Sequence, residues 1–188
     1  MSSVFVTHPE VTIDPGMPIE QWGLSAAGYA RAECVLPVLV GQVDRIMSSA
    51  ERKATDTAAV LAAGLCVPTS VDPALGEMDR SATGYPPPSE FEAVVDLFFA
   101  EADQSIRGWE RAADAQTRIV DTIRRIPHTG HSSRTAFVSH GGVGALLLAS
   151  LTGSQISRSL DQPGMGSYFS FDAHSWTALS GWNRIPLS

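Results

Sequence analysis

Short apolar runs that end in turn residues alternate along this chain with longer stretches whose apolar positions recur every three to four residues. Runs of the first kind suit the buried strands of a parallel sheet, and stretches of the second kind suit the helices that cover it. Val4-Phe5-Val6 predicts a strand that ends at Thr7-His8, followed by a Pro- and Gly-rich loop from Pro9 to Gly23. Ser25 stands where it would cap a helix reaching about Val40, broken near Pro37. Val43 to Met47 predicts a second strand, Glu51 to Ala63 an Ala-rich helix stopped by Gly64, and Thr69-Ser70-Val71 a short edge strand. Asp72 to Ser89 reads as loop, because Pro86-Pro87-Pro88 lacks the amides that regular structure needs. Helices are expected over Glu90 to Ala102 and Gly108 to Ile126, the second with Ile119, Ile123 and Ile126 on one face. Thr135 to Ser139 predicts a buried strand and Gly142 to Leu151 a helix closed by Gly153; Tyr168 to Phe171 and Trp176 to Leu179 complete the sheet.

A chain of 188 residues suits one domain, expected over 1–188, and the proline triplet marks an insertion over 80–109 that would act as a lid or specificity element. The net charge of −7 argues against a nucleic-acid partner, which needs a basic face to displace counterions. It does not exclude a small anion held by a few local donors. No apolar run approaches the ~20 residues that span a bilayer, so no membrane partner is expected. The N-terminal run lacks a basic segment ahead of it, which leads to the expectation of no signal peptide and a cytoplasmic location. Cys34 and Cys66 read as isolated, small buried thiols, and no Cys/His cluster has zinc spacing, so no metal is expected.

The chemistry concentrates on two histidines. His8 follows the first apolar strand, and His140 follows Ala136-Phe137-Val138-Ser139. In a parallel sheet the strand C-termini share one edge, where ligands bind, so two imidazoles far apart in sequence can meet there. His140 also precedes Gly141-Gly142, which open a helix whose N-terminal amides favour an anion. Singly, each is more simply a loop histidine with a structural hydrogen bond; as a pair at matching strand ends they point to a site. His128 and His131, in Pro127-His128-Thr129-Gly130-His131, read as surface loop residues.

These residues belong to a wider pattern: Thr7-His8-Pro9, Leu24-Ser25-Ala26-Ala27-Gly28, Ser49 to Thr57, Leu75-Gly76-Glu77 and Ser139-His140-Gly141-Gly142. In order and spacing it resembles the histidine phosphatase (phosphoglycerate-mutase-like) superfamily. There the corresponding anchors are Arg-His-Gly, Leu-Thr-x-x-Gly, Ser-x-x-x-Arg-Ala-x-x-Thr, Leu-x-Glu and Ser-His-Gly-Gly. The resemblance covers residues 4 to 145 and implies a three-layer α/β/α sandwich with a mainly parallel central sheet. Its departures concern the phosphate grip. Thr7 stands where the family has its first arginine, Pro9 where it has glycine, and Asp14 where mutase-type members often carry Asn. Counting back four from Thr57 places Lys53, the chain's one lysine beside twelve arginines, on the second arginine; Arg52 falls on a variable position. Lysine keeps a point charge and loses the bidentate fork.

The resemblance implies a phosphomonoester phosphatase with His8 as nucleophile through a phosphohistidine, Glu77 as proton donor, and His140 as stabiliser of the transferring group. Phosphate would be held by Thr7, Lys53 or its neighbour Arg52, the Gly141 amide, and Arg80 as a replacement donor. It implies no metal and no organic cofactor; the expected partner is a small phosphorylated substrate or inorganic phosphate. The alternative is a catalytically degenerate member that binds a phospholigand without turnover, and a mutase ranks below both because no second basic pocket is evident.

Overall fold

The computed structural model describes residues 2–126 and 134–187. His128 and His131 lie outside the described residues. In chain order the elements are β1 (Ser2–Thr7), α1 (Ala26–Cys34), α2 (Leu36–Leu39), β2 (Arg45–Ser48), α3 (Arg52–Leu65) and β3 (Thr69–Val71). They continue with α4 (Pro88–Ala100), α5 (Ala112–Arg124), β4 (Thr135–Ser139), α6 (Gly141–Thr152), β5 (Ser167–Asp172), β6 (Thr177–Ala178) and β7 (Asn183–Arg184). The strands form one sheet in the order β3-β2-β4-β1-β5-β6, with β7 also pairing β5. Strands β3, β2, β4 and β1 run parallel, and β5 lies antiparallel to β1.

Alternation along the strands supplies the two faces of the sheet. Phe5, Phe137, Phe169 and Phe171 point to one side, where they pack with Phe98 of α4, Ile119 and Ile123 of α5, and Leu147 of α6. Val4, Val6, Ile46, Ala136 and Val138 point to the other, onto Val35, Leu39 and the Ala54, Ala58 and Leu61 face of α3. Three layers result, as the family pattern implies. None of the helices of the described residues is long and apolar enough to cross a membrane.

Several boundaries differ from the sequence expectation for identifiable reasons. Ser25 does cap α1, its hydroxyl accepting from the Gly28 amide at 3.1 Å. The break before α2 comes just ahead of Pro37, because proline is tolerated in the first turn of a helix. Gly64 does not stop α3. It lies inside the helix where a Cβ would overlap the Leu36 side chain, and the helix ends instead at Cys66 in the left-handed region, φ 57°. Neither cysteine is buried as expected: Cys66 is exposed and Cys34 half-buried. The proline triplet ends in a helix, since Pro88 is the first residue of α4. Helix α5 starts only at Ala112: Arg107 and Gly108 have φ of 52° and 83°, a turn that buries Trp109 against α4. Strand β7 has no counterpart in the expected pattern.

Candidate active site

The parallel pairing of β1 with β4 sets Thr7 opposite Ser139, so the next residue of each strand, His8 and His140, leaves the sheet at the same edge. The His8 amide donates to the Ser139 carbonyl at 3.1 Å, and the two imidazole centroids lie 5.3 Å apart, edge to face. His8 Nδ1 donates to the Pro9 carbonyl at 2.8 Å. That bond fixes the tautomer and leaves a lone pair on Nε2. The loop carrying Pro9 is itself clamped: buried Arg31 of α1 grips the Glu10 carboxylate at 2.6–2.9 Å and the Ile185 carbonyl at 2.5 Å. Burial lowers the His8 pKa to about 4, with Lys53 and Arg80 adding to the effect and Pro9 opposing it, so the ring is neutral near pH 7.

His140 is fully buried behind His8. Its Nε2 lies 2.7 Å from Ser49 Oγ and 3.2 Å from Glu51 Oε1, and its Nδ1 has no partner among the described residues. Burial holds this ring neutral. The contact with Glu51 is therefore a hydrogen bond from Nε2–H, and the cation that keeps Glu51 ionised is Lys53. Glu51 Oε2 accepts from Lys53 Nζ, while Oε1 accepts from the Glu77 amide at 3.0 Å. Burial opposes this ionisation, yet His140, Lys53 and the amide together hold the Glu51 carboxyl well below the usual carboxylate range. Lys53, 4% exposed, also donates to the Ile19 carbonyl at 3.0 Å.

Glu77 sits on the N-terminus of α6. Its Oε1 accepts from the Val143 and Met78 amides at 3.0 and 3.2 Å, and Oε2 from Gly142 at 3.2 Å. A side chain on Gly142 would overlap this carboxylate, so glycine is required there. Burial raises the Glu77 pKa, aided by nearby Glu51 and opposed by Arg80 and the helix amides. Of the amides that open α6, Gly142 and Val143 are thus taken by Glu77, while Gly141 faces the cavity. The loop bearing Glu77 is held by Arg118 of α5, which donates to the Ala74, Gly76 and Glu77 carbonyls at 2.9–3.1 Å, and by Ser139 Oγ on Leu75 at 2.7 Å.

Two adjoining cavities share His8, Arg80, Phe91, Glu92 and Met165. One, of about 230 Å³, is lined also by Glu77, Gly141 and Gln162; the other, of about 290 Å³, by Lys53, Trp22 and Tyr85. The Arg80 guanidinium lies 5.0 Å over the Phe91 ring and has no ion pair among the described residues. Segment 80–109 thus contributes Arg80, Tyr85 and Phe91 to the cavity walls.

Thr7 and Arg52 are not brought to these cavities. Thr7 is buried, its hydroxyl donating to Gln162 Oε1 at 2.6 Å and accepting from the Ser167 amide at 2.9 Å. Strand β5 thereby commits the group expected to face phosphate, and the Gln162 amide, lying against Gly141, faces the cavity instead. Arg52 points outward beside Asp56, its side chain 61% exposed. Asp14 caps the Gly16 amide at 2.9 Å. Ser49, Glu51, Arg118 and Gln162 were not legible from the sequence. Glu51 alone carries a signal, its place two residues before Lys53, and that position reads equally well as an ordinary acidic helix start.

A model of the histidine phosphatase superfamily (branch 1) matches residues 19–181, a span that begins after Thr7-His8-Pro9. No curated protein sequence matches the chain. Among solved structures, mycobacterial glucosyl-3-phosphoglycerate phosphatase is 22% identical with a TM-score of 0.77, over 98% of this chain and 99% of that one. The same enzyme's complex with inorganic phosphate aligns with a TM-score of 0.73 at 22% identity, over 97% and 94%. Bacillus stearothermophilus YhfR aligns with a TM-score of 0.73 at 19% identity, over 94% and 93%. At these identities the likeness is one of fold. The superfamily model, by contrast, matches the sequence itself over most of its 188 residues, and on that ground the chain belongs to the histidine phosphatase superfamily, branch 1.

Proposed function

We propose that the protein is a metal-independent phosphomonoester phosphatase that works through a phosphohistidine on His8. The observation that carries this reading is the Nδ1–Pro9 hydrogen bond, which leaves the Nε2 lone pair of a neutral, half-buried imidazole facing a cavity. In the first step Nε2 attacks phosphorus in line, the ester P–O bond breaks, and its electron pair passes to the leaving oxygen. Glu77 supplies the proton to that oxygen. Its raised pKa favours the acid form, and Oε2, with one amide on it, keeps a position for the proton. Water then attacks the phosphohistidine, Glu77 takes the water's proton, and phosphate leaves with Nε2 restored. Arg80, the Gly141 amide, the Gln162 amide and the one Lys53 N–H not given to Glu51 or the Ile19 carbonyl are the donors available to the equatorial oxygens. The 80–109 segment acts as the specificity wall.

The neighbouring phosphatase named for glucosyl-3-phosphoglycerate supports phosphoester hydrolysis as the reaction class and leaves the substrate of this chain open. A second reading, a phospholigand binder without turnover, draws on one specific observation. The Glu51 carboxylate engages Lys53, His140 and the Glu77 amide, donors that a phosphate oxygen would also seek. The deciding experiment is phosphate release from a panel of phosphomonoesters with a chelator present, with rapid quench for an acid-labile, base-stable phosphoenzyme. The enzyme reading expects both signals, and their loss in His8→Ala. Turnover persisting in that variant would remove His8 as nucleophile, and phosphate binding without any turnover would establish the binder.

A further inference from the structure

We infer that the second cavity receives the carbon skeleton of the phosphomonoester, and that this skeleton is uncharged and apolar, with an aromatic ring. The inference rests on the reading above for the seat of the phosphate. Exposed apolar side chains scattered singly need no explanation, whereas a cluster around one cavity does. Ile13, Tyr85 and Met165 are 53%, 41% and 43% exposed, and all three line the 290 Å³ cavity that also holds His8. Trp22 and Tyr85 meet there edge to face, ring centroids 4.9 Å apart, and both line the cavity, so an aromatic ring seated in it would meet aromatic walls.

Most polar groups around this cavity are already engaged, Arg80 and the Tyr85 hydroxyl being exceptions among the described residues. The Trp22 indole N–H donates to the Asp14 and Met17 carbonyls at 2.8 and 3.2 Å, so the ring offers the cavity only its carbon surface. Lys53 is held by Glu51 and the Ile19 carbonyl, and Glu92 by Arg158. A sugar's several hydroxyls would therefore lose water with only the Tyr85 hydroxyl and Arg80 to replace it, which costs about 1–3 kcal/mol for each group left unsatisfied. A second anionic group on the substrate would meet Glu92, with Arg80 already needed by the phosphate. The volume lies at the small end of the usual range for ligand pockets, from about 300 Å³, which suits one ring or two fused rings rather than a disaccharide.

The test uses the full chain and esters of primary alcohols, which keeps leaving-group chemistry similar: ethyl, 2-phenylethyl, glycerol and glucose 6-phosphates. The expected result is kcat/KM for 2-phenylethyl phosphate at least about tenfold above the ethyl and glycerol esters, carried mostly by KM. Tyr85→Ala and Ile13→Asp should each shrink that advantage by about fivefold while costing ethyl phosphate much less. Calorimetry provides a readout free of turnover: 2-phenylethylphosphonate should bind about tenfold tighter than methylphosphonate. Equal phosphonate affinities, a preference for the glycerol or glucose ester, or variants that depress every ester alike would overturn the inference. Selective phosphonate binding with no hydrolysis of any ester would instead sink the phosphatase reading and leave the apolar cavity standing.

Discussion

Substituting Glu51 by Gln removes the carboxylate that pairs with Lys53 and that, under the proposed function, competes with phosphate for it. The side chains of the pair are only 5% and 15% exposed, so their attraction is weakly screened. Two unit charges about 4 Å apart attract by about 4 kcal/mol at the effective dielectric of such a position. Gln keeps a carbonyl for the Glu77 amide at the place of Oε1, but leaves Lys53 with the Ile19 carbonyl alone. The freed ammonium should then form a charge-assisted contact with phosphate worth about 1.5–3 kcal/mol, or roughly ten- to a hundredfold in affinity. The substitution also strands a buried cation, a change that costs up to about 3–5 kcal/mol of stability in comparable pairs. Calorimetric titration with inorganic phosphate measures the first effect, and thermal unfolding with and without phosphate measures the second. Phosphate at about a hundred times its Kd should return about 2.7 kcal/mol to the variant. In a Lys53→Met background the affinity gain should vanish. A folded Glu51→Gln protein that binds phosphate no more tightly than the parent would refute the competition, and make Glu51 a support for His140 instead.

Acidification should act on stability in a definite direction. The folded His8 pKa is about 4 against an ordinary value of 6.5, and that of His140 is also lowered, so the unfolded chain takes up protons first. Stability should fall as pH drops from about 6.5 toward 4, by about 2 kcal/mol at pH 5 from His8 alone, with the raised Glu77 pKa partly offsetting it; urea unfolding at pH 7 and 5 checks this, and equal midpoints would contradict neutral buried rings. Turnover should decline on the alkaline side as Glu77 loses its proton, and Glu77→Gln should remove that limb of the pH–rate profile. Arg80→Ala should weaken phosphate binding about tenfold while Arg52→Ala changes it little, and the reverse ranking would move the anion site toward the outer face of α3. Thr7→Arg should destabilise the fold by about 3 kcal/mol or more, because it breaks the buried bonds to Ser167 and Gln162; an unchanged Tm would mean that the new side chain reaches the cavity and takes the place of Gln162.

The alternation of short apolar runs with helical stretches determined the layered α/β architecture. Burial of Phe5 and Phe137 on one face and of Val4, Val6 and Val138 on the other leaves the strands no alternative. The convergence of His8 and His140 was equally legible, because parallel strands with matched apolar runs release their next residues at one edge. Chain order put Lys53 on the position of the family's second arginine but left Lys53 and Arg52 both open as the pocket cation; in the structure Lys53 lines the cavity and Arg52 faces solvent.

What the sequence left undetermined are contacts between residues far apart in the chain. That Thr7 spends its hydroxyl on β5, that Gln162 takes up the space beside Gly141, and that Arg118 reaches across to hold the Glu77 loop depend on pairings made only when the sheet closes. No local spacing encodes them. Glu51 is the sharpest instance: at the head of a helix a carboxylate is unremarkable, and only the approach of His140 and the Glu77 amide from other segments, beside Lys53, makes it a buried anion at the centre of a cluster of donors. Short-range propensity and periodicity set which elements form and which face they bury. The charge balance at the site is decided by distances between those elements, which exist only in the folded chain.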